Sequence, residues 1–407
     1  MSAPLDRRLG LGASSAVGIS AMVGAGLFVV LAPAAAAAGD GLLLALALAA
    51  GVAACNALSS ARLAARHPAA GGTYVYGRER LGPFWGHLAG WAFVVGKLAS
   101  CAAMALAVGA YLWPGHDRVA GVVVVLAVTS VNLAGIEKSA RVGIAVVVVV
   151  LAVTTTAIVV MASADGAREV AAPADLRGVL QAAGLLFFAF AGYARLATLG
   201  EEVRDPARTI PRAIAVALVV VVAVYAGAAL ALAHVLGTAG LAASGRPFVA
   251  GLDAAGAHGL IPLVAGVASL AAGGAILSLT LGVSRTVLAM ARDRHLPRAL
   301  ALVSTRRRVP WPAESAVAVV VVLLVALGDL TSSIAFSSFC VLLYYAIANA
   351  SALTLPSRLG QRLAAVIGLA GCIGLAASLP ATTIAVGAGV VVTGAVTYVV
   401  RRLGSHS

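Results

Sequence analysis

Three features of this sequence could do chemistry in an apolar setting. The first is Gly24-Ala25-Gly26, in the middle of the apolar run 11–37 and within the stretch G-I-S-A-M-V-G-A-G-L-F, 18–28. Such a run crosses a bilayer as a helix at about 1.5 Å per residue. Backbone that leaves the helix at mid-depth exposes N–H and C=O groups, a costly step unless protein or a wet cavity receives them. Glycine permits the departure, and a half-helix that starts there offers free N–H groups to an anion; the same glycines also fit a small-residue helix-packing face of the Gly-xxx-Gly kind. The run 178–200 carries a second break, in F-F-A-F-A-G-Y-A-R. The next feature is Lys97, about 13 residues from one end of its apolar run and about 16 from the other, too deep for its side chain to snorkel to either interface. It reads as a proton carrier or a fixed charge standing in for a cation, or as a structural lysine bonded to carbonyls at a helix break. The last is a charged mouth, Glu201 and Glu202 in E-E-V-R-D-P-A-R-T-I-P-R, with Arg285 near the end of a later run. It fits a gate of ion pairs among Glu201, Glu202, Arg285 and Asp293, and equally a solvated loop.

The elements that position these residues follow from composition. Of 407 residues, 61% are hydrophobic and 11% charged, far below the roughly 25% charged of a soluble domain. The chain reads as an all-α polytopic membrane protein with about twelve transmembrane helices. They are expected near 12–37, 41–65, 84–113, 119–136, 142–163, 178–200, 211–237, 260–291, 313–328, 332–353, 361–378 and 381–400. Alternating strands of the outer-membrane barrel type are absent from the pattern. The first run is too long for the core of a cleaved leader, so the first helix is expected to stay.

The formal charge of +13 does not indicate a nucleic-acid partner. With both termini on one side of twelve spans, most Lys and Arg fall on that side; Arg118, Arg168, Arg177 and Arg246 fall opposite, and Lys97, Arg195 and Arg285 lie within spans. This is positive-inside asymmetry, which places both termini in the cytoplasm and the excess charge beside anionic lipid. Cys55, Cys101, Cys340 and Cys372 sit in apolar runs without metal-ligand spacing, so no metal and no cofactor is expected. Asn56, Asn132 and Asn349 read as interhelical glue, and 66–91 reads as a short surface helix rich in aromatics. The seven histidines lie in loops or at helix ends, and no convergent set of nucleophile and base suggests an enzyme.

Five segments in order resemble the bacterial amino acid permeases of the amino acid–polyamine–organocation superfamily. They are G-I-S-A-M-V-G-A-G-L-F, P-A-A-G-G-T-Y-V-Y with L-G-P-F-W-G, E-K-S-A-R, F-F-A-F-A-G-Y with E-E-V-R-D-P-A-R-T-I-P, and L-A-M-A-R-D-R-H-L-P. The resemblance implies a leucine-transporter-like fold with 5+5 inverted repeats and broken helices 1 and 6. The first repeat would cover 1–163, the second 164–353, and peripheral helices 11 and 12 with the C-terminus 354–407. It implies a substrate site formed by Met22, Val23, Gly24, Ala25 and Gly26 with Phe190, Ala191, Gly192 and Tyr193. There the substrate carboxylate would meet N–H groups around Gly24 to Gly26, and its amine the carbonyls near Met22 and Phe190. Some relatives carry a helix-5 lysine in the role of a sodium ion; helix 5 has none here, and Lys97 is the candidate substitute. The expected function is transport of small neutral amino acids across the cytoplasmic membrane by proton symport or exchange. A transport-inactive nutrient sensor or membrane-complex subunit on the same fold is the alternative.

Overall fold

Long runs of Val, Ala and Leu in hydrocarbon leave amides with no water to bond, and the helix satisfies them within the segment. The computed structural model describes residues 10–67, 71–135, 140–167, 174–193, 203–304 and 309–403, and these contain helices and turns but no strand beyond an isolated bridge residue, Val203. The helices are α1 (Leu11–Met22), α2 (Ala25–Ala38), α3 (Leu42–Arg66), α4 (Thr73–Leu81), α5 (Pro83–Leu112), α6 (Asp117–Leu133), α7 (Ala140–Ala162) and α8 (Leu176–Phe190). After them come α9 (Pro206–Ala243), α10 (Pro247–Ala254), α11 (Ile261–Arg292), α12 (Trp311–Leu327), α13 (Leu330–Leu353), α14 (Leu359–Ser378) and α15 (Ala381–Leu403). Each of the twelve expected stretches carries helix, the first in two pieces. Among the described residues nine helical segments are long and apolar enough to cross a membrane, while Leu11–Met22 and Trp311–Leu327 are shorter apolar helices.

The spine is α5. Nearly all of its apolar window is buried, and it packs on α13, α11, α6, α4 and α15. Small residues let these helices approach closely. A Cβ on Gly96 would stand 2.7 Å from Cys340 Cβ, and one turn further on Ser100 Oγ meets Ser337 Oγ at 2.6 Å. On another face His87 Nε2–H donates to the Gly394 carbonyl (2.9 Å) and Trp91 Nε1–H to that of Val390 (2.9 Å), fixing α15 to the spine. The rest of α15 faces outward with Val386, Val392 and Val396 exposed. Such an apolar surface suits lipid contact.

The surface helix expected in 66–91 is α4, but its aromatic residues point inward. Thr73 to Gly77 are buried. The Thr73 N–H donates to Tyr344 Oη (3.0 Å), and Arg80 donates to Thr354 Oγ1 (2.8 Å) and to its carbonyl (2.5 Å). These bonds hold α4 across the end of α13. At the opposite end of the helices, Phe248 of α10 lies buried against Phe28 of α2 (centroids 5.1 Å), whose carbonyl accepts from Tyr111 Oη (2.9 Å).

Two helices begin with an aspartate cap. Asp175 accepts from Gly178 N–H and Asp329 from Ser332 N–H, both at 2.9 Å. Asp175→Ala leaves an N–H of α8 unpaired at a cost of about 1 kcal/mol. It should lower the thermal midpoint of the detergent-solubilised protein by a few degrees, readable by tryptophan fluorescence, with membrane insertion unchanged.

Candidate functional site

The first apolar run is interrupted where its glycines fall. α1 ends at Met22, Val23 leaves the helix with ψ 13°, Gly24 has φ −58° and ψ −155°, and α2 starts at Ala25. Gly24 does not use a positive φ. Its missing Cβ is needed for space, since a Cβ there would lie 3.1 Å from Ala275 Cβ of α11, and one on Gly26 would lie 2.9 Å from both Cα and Cβ of Ala189 on α8. The first N–H groups of α2 have no acceptor one turn earlier, as at any helix start.

The second break meets the first. α8 ends at Phe190, and Ala191–Tyr193 forms a single 3-10 turn. A Cβ on Gly192 would collide with the Ala21 carbonyl and stand 2.7 Å from the Met22 amide nitrogen. The structure therefore brings Met22, Val23, Gly24 and Gly26 together with Phe190, Ala191, Gly192 and Tyr193. Ala25 supplies the first helical position of α2.

Two helix ends that stop inside a protein leave carbonyls to be satisfied, and three long side chains converge on them. Tyr225 of α9 donates its hydroxyl to the Met22 carbonyl at 2.6 Å and faces the Ala189 carbonyl at 3.3 Å. Lys97 of α5, only 5% exposed, directs Nζ to the Ala191 carbonyl at 3.5 Å. Tyr345 of α13 donates to the same carbonyl at 3.3 Å. The ring of Tyr193 stacks on that of Tyr345 (4.9 Å, 27°) and Phe190 leans on Tyr225 (5.2 Å). Lys97 thus faces the carbonyl end of α8, the end at which the helix dipole favours a cation.

A buried polar chain continues from Tyr345. Asn349 Nδ2 donates to the Tyr345 carbonyl (2.9 Å) and to Asn56 Oδ1 (2.6 Å), and Asn56 Nδ2 donates to Cys372 Sγ (3.2 Å). The two asparagines join α3, α13 and α14 as glue. A separate cluster holds Asn132 Nδ2 on Thr280 Oγ1 (2.8 Å) and Ser284 Oγ on Glu314 Oε1 (2.7 Å). Glu314, in the first turn of α12, is buried, and it is a polar residue that the sequence reading did not single out. The i, i+4 pair Thr280 and Ser284 on the facing helix was the available signal.

At the end of α11, Arg285 is exposed, while Asp293 is taken by Arg78 Nη1 (3.2 Å) and by the Tyr74 hydroxyl (2.5 Å). His295 Nδ1 lies 3.2 Å from the same hydroxyl. Burial and the Asp293 carboxylate push the Tyr74 phenol up, and burial pushes the His295 imidazole down. Tyr74 and Arg78 belong to α4, so this cluster ties α4 to α11. Arg195, Glu201 and Glu202 lie outside the described residues. Tyr225, Tyr345 and Arg78 are the participants that sequence reasoning missed.

Free N–H groups at the start of α2, carbonyl ends of α1 and α8, and an enclosure of aromatic rings suit a small zwitterion: an anionic group toward the N–H groups, a cationic one toward the carbonyls. Among the described residues no group of three His, Cys, Asp or Glu could hold a metal ion. The class defined by long apolar helices with two facing breaks is a helical membrane carrier. The amino acid permease family model matches residues 15–403. The chain is 58% identical to an uncharacterized transporter of Mycobacterium tuberculosis over 98% of this chain and 92% of that protein. It is 25% identical to the branched-chain amino acid permease BcaP of Bacillus subtilis (76% of this chain, 72% of that protein) and 26% identical to the serine/threonine exchanger SteT of the same organism (72% and 69%). The chain belongs to the amino acid permease family, within the amino acid–polyamine–organocation superfamily. It is a multi-pass membrane transporter of amino acids and not an enzyme.

Gly26 packs on α8 with no room for a side chain. Gly26→Leu should abolish amino acid binding by driving α2 and α8 apart, while the protein still inserts and is recovered from membranes. Equilibrium binding with the purified variant checks this, and wild-type affinity would remove the breaks from the binding site.

Proposed function

We propose that this chain is a secondary active transporter of small neutral amino acids, working by proton symport or by exchange across the cytoplasmic membrane with both termini in the cytoplasm. The reading is carried by one observation, the meeting of the two helix breaks, with N–H groups at the start of α2 near the carbonyl ends of α1 and α8. In this reading Met22 to Gly26 and Phe190 to Tyr193 hold the substrate backbone, and Phe190 and Tyr193 shape the space for its side chain. The preference for neutral substrates rests on the side chains around the breaks. Among the described residues the side chains that hydrogen-bond the carbonyls of the broken ends are those of Tyr225, Tyr345 and Lys97, and none of them is a carboxylate that could balance a cationic substrate side chain. By name BcaP and SteT are relatives for neutral amino acids, whereas cationic amino acid transporter 4 of Homo sapiens is 29% identical over 83% of this chain and 58% of that protein, so the preference for neutral substrates rests on the side chains at the breaks.

Alternating access on this fold uses two five-helix repeats, here 1–163 and 164–353, with 354–407 peripheral. Lys97 is the proposed coupling residue. Its ammonium and the Ala191 carbonyl form a pair that a proton makes or breaks, so protonation at position 97 acts on the α8 break directly. Glu201, Glu202 and Arg285 are the proposed inner gate.

The test is uptake of pooled radiolabelled amino acids into proteoliposomes, with and without an inward proton gradient, comparing wild type with Lys97→Ala. Gradient-driven uptake is expected in the wild type, falling to the level of protein-free liposomes in the variant. Full uptake by Lys97→Ala would make the lysine structural, and binding without flux would mark a sensor instead of a carrier.

A further inference from the structure

Tyr225 stands apart from the other groups at the breaks because it touches both. Its ring and hydroxyl are wholly buried, and the oxygen lies 2.6 Å from the carbonyl that ends α1 and 3.3 Å from a carbonyl in the last turn of α8. A phenol has a single proton to donate, so the two carbonyls compete for it. Both belong to helix ends, where no backbone N–H one turn ahead completes the pattern. The hydroxyl rotates about its C–O bond, and a change of acceptor needs only that rotation and a few tenths of an ångström.

We propose that Tyr225 is a positioning residue that responds to the substrate's ammonium group: its proton holds the Met22 carbonyl, and turns to the Ala189 carbonyl when an ammonium takes Met22. This rests on the proposed binding site at the two breaks. Before the exchange the Ala189 carbonyl has only the longer contact; once the ammonium, which brings three N–H donors of its own, takes Met22, each of the two carbonyls has a donor. It also gives the substrate amine a mechanical consequence. In one arrangement Tyr225 anchors α9 to the end of α1, in the other to the end of α8, so the arrival of a cationic amine shifts α9 from one broken helix to the other without any titrating group. The ring contact with Phe190 keeps the phenol in place through the exchange.

Because the hydroxyl bonds one carbonyl before the amine arrives and the other after it, Tyr225→Phe loses one bond in each state and is expected to bind its amino acid with an affinity within about twofold of wild type. Transport kcat should fall severalfold with KM little changed, because the arriving amine no longer moves the anchor of α9 from α1 to α8. A hydroxyl that only blocked Met22 would tighten binding roughly threefold to tenfold on removal, and one that only supported the bound site would weaken it as much. A change of affinity of roughly threefold or more in either direction, or a kcat left at the wild-type value, therefore overturns the proposal. A second measurement covers a variant that does not fold: 3-fluorotyrosine incorporated at position 225 keeps the hydroxyl and reports its acceptor by fluorine NMR. The probes are the twenty proteinogenic amino acids, screened by radiolabel for those the wild type binds. The resonance should shift on saturation with a bound amino acid, and a resonance that stays put overturns the exchange. Gly26→Leu separates this failure from that of the underlying site. Retained binding in Gly26→Leu, or no binding of any amino acid by the wild type, removes the site and the proposal together, whereas a failed Tyr225 test with Gly26→Leu inactive removes only the role of Tyr225.

Discussion

Backbone amides that leave a helix within hydrocarbon must be matched inside the protein, and this one constraint organises the middle of the molecule. Two helices stop short at Met22 and Phe190, and their free carbonyls draw polar tips from helices that are otherwise apolar. Tyr225 comes from α9, Lys97 from α5 and Tyr345 from α13. Each must reach its target from a helix of fixed position, so the placement of the breaks determines how the surrounding helices register against one another. The close approach of Gly24 to α11, Gly26 to α8 and Gly192 to α1 belongs to the same requirement. A side chain at Gly26 or Gly192 would separate the broken ends and strand their carbonyls, and one at Gly24 would press on Ala275 of α11.

The choice of partners has an energetic logic. A buried ion pair would meet the carbonyls strongly but would require desolvating two charges, and breaking it would leave one of them uncompensated. Phenol hydroxyls bond a carbonyl at a net gain of about 1 kcal/mol and lose little when they exchange it for another. Two of the three groups at the breaks are phenols, and the third is a single cation facing a carbonyl end of a helix, where the dipole already favours it. Among the described residues the ion pairs lie at exposed or half-exposed positions. Arg78 and Asp293 pair there with half-exposed side chains, where solvent makes the interaction weak and reversible. Firm packing along α5 and light bonding at the breaks and the rim together fit a protein that must change shape without unfolding.

Much of this was legible in the sequence, and the gaps have identifiable causes. The break in the first run was visible because Gly24-Ala25-Gly26 is an interruption of composition, and the helix ends fall at Met22 and Ala25. The same glycines fitted a helix-packing face as well as a break, and they serve both, but the neighbours they pack on, Ala275 and Ala189, depend on which helices are adjacent. Lys97 was conspicuous as a charge in an apolar run, but its partner, the Ala191 carbonyl, is 94 residues away in sequence and backbone atoms leave no trace in residue type. Tyr225 and Tyr345 passed as ordinary aromatics of apolar runs, because hydropathy registers the ring and not the hydroxyl. Asn56 and Asn349, read separately as glue, are bonded to each other. The aromatics of α4 suggested an interface with lipid, and the structure turns them onto α5, α13 and Asp293 just past α11 instead. Aromatic composition alone does not distinguish a membrane interface from a protein one.

The distribution of burial carries the argument one step further. α5 is enclosed along almost its whole length, whereas α14 and α15 bury only about a fifth of their apolar windows. Yet α15 is fixed to the spine by two side-chain bonds, from His87 and Trp91, that reach carbonyls of α15. Carbonyls inside a regular helix already accept one bond, so these are second bonds, and they fasten a helix without depending on its sequence. The same device appears at the breaks, where donors from neighbouring helices meet backbone carbonyls and not side chains. In a chain with so few polar side chains, backbone carbonyls are the main supply of acceptors. Specific association of helices here rests on donors aimed at carbonyls, Tyr225, Tyr345, Lys97, His87, Trp91 and Tyr111, together with side-chain pairs such as Asn56 with Asn349 and Asn132 with Thr280, while small residues set how closely the helices approach.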